Sequence, residues 1–103
     1  MVLYIMKWEI LPDVETYTKW TESAIKRTIG APGVVEFRAY RSAAGAPQAV
    51  VTYEFADLAA WATWEANEDV QNVRAELHQF ATNVSTELWG PSPIVPEPIR
   101  PEG

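Results

Sequence analysis

Between Leu58 and His78 the chain places Trp61 and Trp64 one helical turn apart and, further on, Arg74 and His78 one turn apart. Tryptophan rings wall an apolar ligand, a guanidinium holds an oxyanion, and an imidazole titrates close enough to neutrality to take a proton. Together these are the parts of an acid–base site for an aromatic compound. They are also parts of an ordinary helix, because five tryptophans in so small a chain more often fill core and interface than grip a ligand. Other chemistries have fewer candidates. The absence of cysteine removes disulfides, thiolate metal sites and cysteine nucleophiles together. Glu65, Glu68 and Asp69 lack a spaced histidine partner, so no metal site is expected, and no cofactor is called for. No phosphate-cradling glycine loop and no Gly-x-Ser-x-Gly elbow occurs, which argues against nucleotide binding and the usual serine hydrolases.

The 103 residues, 48% of them hydrophobic, suffice for one core and are too few for two. Eight basic against fourteen acidic residues leave a net charge of −6, whose field repels polyanions and anionic membranes, so nucleic acid is not an expected partner. Met1–Trp8 lacks a basic leader and a cleavage site, and no apolar run approaches the ~20 residues of a membrane span. These features predict a soluble, cytoplasmic protein.

The elements that must position the candidates follow from periodicity. Val2 to Ile10 alternates imperfectly and is apolar on nearly both sides, predicting a strand with two buried faces. Asp13 is placed to cap a helix over residues 13–29, whose stripe runs through Val14, Tyr17, Trp20 or Thr21, Ala24, Ile25, Thr28 and Ile29, and Gly30 is positioned to end it in the left-handed conformation. Residues 34–41 and 48–55 alternate cleanly and are joined by a loop of hairpin length. To keep their apolar faces together, Arg38 must pair with Val50, Thr52 or Glu54, which leaves Phe37 and Tyr53 on one face. Asp57 and Asn67 read as caps of two successive helices. The stripe of the second, Val70, Val73, Leu77, Phe80, Ala81 and Val84, predicts a helix lying on a sheet, followed by a short strand over residues 86–89. Five prolines among the last fourteen residues predict an extended arm over 91–103, hooked by Ile94, Val95 and Ile99.

Strand, helix, two strands, helix pair, strand is the order of a split β-α-β unit: an α+β, ferredoxin-like domain over residues 1–90 with a four-stranded antiparallel sheet and helices on one face. The other sheet face keeps Leu3, Ile5, Val34, Tyr40 and Val50, a patch too apolar to leave open, and a second copy packed sheet to sheet is the expected cover. The arm is expected to reach across that homodimer.

Pro32-Gly33 opening the second strand, Gly45 and Pro47 in the hairpin, Tyr53-Glu54-Phe55 ending the third strand, Asp57-Leu58 leading to Trp61 and Trp64, and the helix break at Asn67 to Asp69 together give a chain that resembles the dimeric α+β barrel superfamily, antibiotic-biosynthesis-monooxygenase-like group. Its members include cofactor-free oxygenases of aromatic polyketides, haem-degrading enzymes, isomerases and cyclases. The haem branch needs a first-strand asparagine, a tryptophan on the second helix and a histidine ten residues later. Trp64 matches, but Arg74 stands at the histidine position, His78 comes one turn late, and Met6-Lys7-Trp8 offers no asparagine. The oxygenase branch relies on a substrate that reacts with oxygen once deprotonated, and asks for a base, an anion-holding donor and an apolar pocket. The resemblance thus implies a cofactor-independent monooxygenase of a small aromatic or polyketide-like molecule, with His78 as base and Arg74 or Arg38 as donor. Trp64, Trp61, Trp8, Tyr53 and Phe37 would line the pocket. The competing expectation is a binding or structural dimer without catalysis, in which Arg38 simply pairs with Glu54 or Glu36.

Overall fold

The computed structural model describes residues 1–102, so Gly103 of the expected arm lies outside the described residues. Four strands and three helices follow one another as β1 (Val2–Ile10), α1 (Val14–Gly30), β2 (Glu36–Arg41), β3 (Ala49–Phe55), α2 (Leu58–Glu65), α3 (Glu68–Leu77) and β4 (Ala81–Trp89). The strands form one antiparallel sheet in the order β2-β3-β1-β4. The ferredoxin-like α+β class expected from the order of elements is the observed one.

Register follows burial. Arg38 pairs with Thr52 and Phe37 with Tyr53, so β2 and β3 keep their apolar residues on one face. On β1, Val2, Tyr4, Met6 and Trp8 point at the helices and are buried, while Leu3, Ile5 and Lys7 occupy the other face and are half-buried. Phe55 and Trp64, with 0% and 1% of their surface exposed, lie at the centre of the core. Tyr40 and Trp89 stand exposed, the first on the same outer face as Arg38 and the second opposite Leu3.

The helix starts are those the caps predict. Asp13 accepts from the Thr16 backbone nitrogen, Asp57 from that of Ala60, and Asn67 from those of Asp69 and Val70. Two ends differ from expectation. Gly30 remains helical, and α1 stops because Ala31, which precedes Pro32, is driven into the extended region. Gly33 takes the positive φ of 114° instead, and a Cβ there would lie 3.3 Å from the Ala60 carbonyl oxygen, so this glycine lets the β2 entry pass close to α2.

The second difference is at the end of α3. The stripe through Phe80, Ala81 and Val84 is not helical: the helix ends at Leu77, His78 caps it, and β4 begins at Ala81 instead of at residue 86. Thr82, Val84 and Thr86 suit a strand, and their partner edge on β1 runs the full length of that strand. The misleading spacing comes from a bulge. Lys7 pairs with Ser85 but Glu9 with Thr82, so Asn83 and Val84 are the irregular stretch, with Asn83 at φ 54°. Residues 90–102 form no helix or strand, and Ile94, Val95 and Ile99 are exposed. No helix among the described residues is long and apolar enough to cross a membrane.

Candidate functional site

Helix α1 lies over the sheet without filling the space beneath it. Tyr17, Trp20, Thr21, Ala24 and Ile25 recur at helical spacing on its inner side; Met6, Trp8, Phe37, Ala39, Ala49, Val51 and Tyr53 rise from the strands opposite. Where facing positions are alanine, at 24, 39 and 49, no side chain reaches across, and a cavity of about 310 Å³ remains. That volume is at the lower end of small-molecule sites, enough for a compact ring system.

The walls are mostly aromatic and aliphatic, and most of the polar groups are already engaged. The Trp8 indole nitrogen donates to the Tyr17 hydroxyl at 3.1 Å, tying β1 to α1. Tyr53 donates to the Thr28 hydroxyl at 3.0 Å, Thr18 to the Val14 carbonyl at 2.8 Å, and Thr21 to the Thr18 carbonyl at 2.6 Å. Burial pushes the Tyr53 phenol up to about 12, so it stays neutral through the physiological range and is no base. Tyr17 accepts from Trp8, and its own proton has no acceptor among the described residues. The one charged side chain lining the cavity is Arg41, whose guanidinium carbon lies 6.0 Å from the centre of the Tyr17 ring. No carboxylate and no imidazole lines it.

Of the residues singled out by sequence, Trp8, Phe37 and Tyr53 line the cavity, with the Phe37 and Tyr53 rings 5.0 Å apart. Trp64 stands behind that wall, 4.8 Å from the Tyr53 ring, and donates its indole N–H to the Thr28 carbonyl at 2.9 Å. It shapes the cavity through Tyr53 and has no face on it. Trp61 and Arg74 belong to a separate cluster around Tyr4. The Trp61 ring is 6.0 Å and the Arg74 guanidinium 5.9 Å from that ring, and Arg74 is bound by both Glu65 oxygens. Burial raises the Tyr4 phenol above its ordinary range. His78 follows the last helical residue of α3 and is exposed, and neither Arg74 nor His78 lines the cavity. Arg38 is on the opposite sheet face, paired with Glu36, in a groove that it shares with Leu3, Tyr40, Thr52 and Glu54.

Tyr17, Trp20 and Arg41 were not visible as site residues in the sequence. The first two belong to the stripe that reads as core, and periodicity cannot separate a core face from a cavity wall. Coinciding alanines at 24, 39 and 49 were the available signal, but it needs the register to be known.

No protein-family model and no curated protein matches the sequence. By structure, the chain is similar to SnoaB, a cofactor-independent oxygenase of Streptomyces nogalater, at a TM-score of 0.76 and 14% identity over 93% of this chain and 97% of that one. It is similar to a dabb family protein with a ferredoxin-like fold from Mesorhizobium loti at 0.77 and 17%, covering 88% and 96%. A candidate antibiotic biosynthesis monooxygenase of Deinococcus radiodurans aligns over 100% of both chains at 0.78 and 15%. The chain has the ferredoxin-like α+β fold that these proteins share.

Proposed function

We propose that the cavity between α1 and the sheet binds one small aromatic molecule, and that the chain works as a homodimer closed over the open sheet face. One observation carries the binding reading: a cavity of about 310 Å³ walled by Trp8, Tyr17, Trp20, Phe37 and Tyr53, whose ring faces suit stacking and edge contacts with a planar ligand.

The chemistry that best suits this site is oxygenation without a cofactor, and the likeness in fold to a protein named as a cofactor-independent oxygenase supports it. Because no carboxylate or imidazole lines the cavity, a substrate oxidised there must itself be electron-rich and readily deprotonated by solvent. An anthrone meets that need. Its methylene carbon becomes a carbonyl, one atom of dioxygen enters the product, and the other leaves as water with the two methylene hydrogens. The protein's part is to hold the ring plane and present the Tyr17 proton to an oxygen of the ligand.

The lack of a base favours one other reading, a binding protein that carries such a molecule unchanged. Titration of anthrones and hydroxynaphthalenes, followed by tryptophan fluorescence, separates the two when oxygen consumption is recorded without flavin or metal. Binding with turnover supports the oxygenase, binding without turnover the carrier. Ala39→Trp, which plugs the cavity from an exposed strand position, is expected to abolish both signals, whereas His78→Ala should leave them unchanged. Failure of every ligand to bind would overturn the proposal.

A further inference from the structure

The cationic side chains of this protein fall into two sets. Lys7, Lys19, Arg27, Arg38 and Arg74 each face a carboxylate: Glu87, Glu15, Glu76, Glu36 and Glu65 respectively. Lys26, Arg41 and Arg100 have no such partner among the described residues, and of all these cations Arg41 alone lines the cavity. In a chain with net charge −6, acidic partners are abundant. Being unpaired is shared with Lys26 and Arg100; what sets Arg41 apart is its place beside an apolar cavity, where its guanidinium is free to take an anion.

A second group agrees. The Tyr17 ring lies beneath the Arg41 guanidinium, and its hydroxyl, buried with the rest of the side chain, accepts from Trp8 while its own proton has no acceptor. The cavity thus has an aromatic interior, a fork of N–H donors at its exposed side, and one buried hydroxyl donor between them. A neutral hydrocarbon would leave both donors unused.

Resting on the reading of this cavity as a ligand site, we propose that its ligand is an amphipathic aromatic acid. The ring system lies among Trp8, Phe37 and Tyr53, and a carboxylate or equally compact anion lies at the mouth on Arg41. Guanidinium and carboxylate match as a two-point, charge-assisted contact, and Arg41 can form it without giving up an existing ion pair. The protein's overall negative field opposes anions at long range, so preference for the acid arises only from this local contact and falls as salt rises.

The test uses 2-naphthoate and its methyl ester, which share one ring system and differ in charge, titrated against the full chain by tryptophan fluorescence. The acid is expected to bind about tenfold more tightly than the ester, the scale of one charge-assisted contact. Arg41→Gln, a change at an exposed strand position, should make the acid and the ester bind alike, while Arg41→Lys should keep part of the preference. Equal affinities in the native protein, or an acid preference that survives in Arg41→Gln, would overturn this inference and leave the binding reading standing. If neither compound binds, the cavity is no aromatic site and both fall.

Discussion

Trp64 shows how one residue can be central to a site without touching a ligand. Its ring packs against Tyr4, Tyr53 and Phe55 at centroid distances of 5.7, 4.8 and 5.1 Å, and its N–H satisfies the Thr28 carbonyl on α1. Trp64→Phe removes that hydrogen bond from a buried carbonyl and shrinks a fully packed ring, for a cost of about 2–3 kcal/mol. The loss is expected as a lower urea midpoint with the affinity for aromatic ligands unchanged; a fall in affinity at unchanged stability would instead place Trp64 on the ligand. By residue type alone the tryptophans were indistinguishable. Trp8 and Trp64 are both buried, and what separates a wall from a core position is whether the facing residue is alanine or aromatic, which depends on packing across elements. The Arg74–His78 spacing says nothing of how each is engaged: Arg74 is held by Glu65 beside the Tyr4 ring, whereas His78 caps α3 at the surface.

Strand and helix positions were largely legible because capping residues and alternation are local. Asp13, Asp57 and Asn67 each cap the helix they announce, and the pairing of Arg38 with Thr52 is the register that burial demands. The failure at Phe80–Val84 was also local, because a bulged strand spaces its apolar residues much as a helix does. How α1 is held above the sheet was not legible, since it depends on partners distant in sequence. Arg27 on α1 makes two hydrogen bonds, of 2.8 and 2.7 Å, to Glu76 on α3, and the Trp20 indole adds a third at 2.9 Å. The Arg27 guanidinium, followed by the Trp20 N–H, holds the Glu76 carboxyl down at about 2, against 4.5 for an ordinary glutamate. The unfolded chain therefore takes up this proton first on acidification. The bridge contributes fully above about pH 4.5 and is lost as pH falls towards 2, and the solvent-facing geometry limits it to ~1 kcal/mol. Glu76→Gln should flatten the dependence of stability on pH within that window and leave it unaltered above pH 5. A slope unchanged by the substitution would assign acid sensitivity elsewhere.

For the molecule as a whole, the sheet has one face under helices and one face open, with Leu3, Ile5 and Val50 half-buried and Tyr40 and Trp89 exposed. Closing that face with a second copy is expected to give twice the 11.6 kDa chain mass by light scattering at micromolar concentration, and Tyr40→Glu should shift the population towards monomer. A monomeric mass for the native chain would remove the homodimer from the proposal. The irregular turn of backbone at Asn83 and Val84 bears on what else the sheet can do. It lies in β4, one of the two outermost strands, while the other, β2, is only six residues long and carries Glu36, Arg38 and Arg41. A bulge interrupts one rim and charged side chains flank the other, so ribbons and fibrils find a poor template from which to extend. Assembly is expected face on, and a face, unlike a rim, is used up once it is covered.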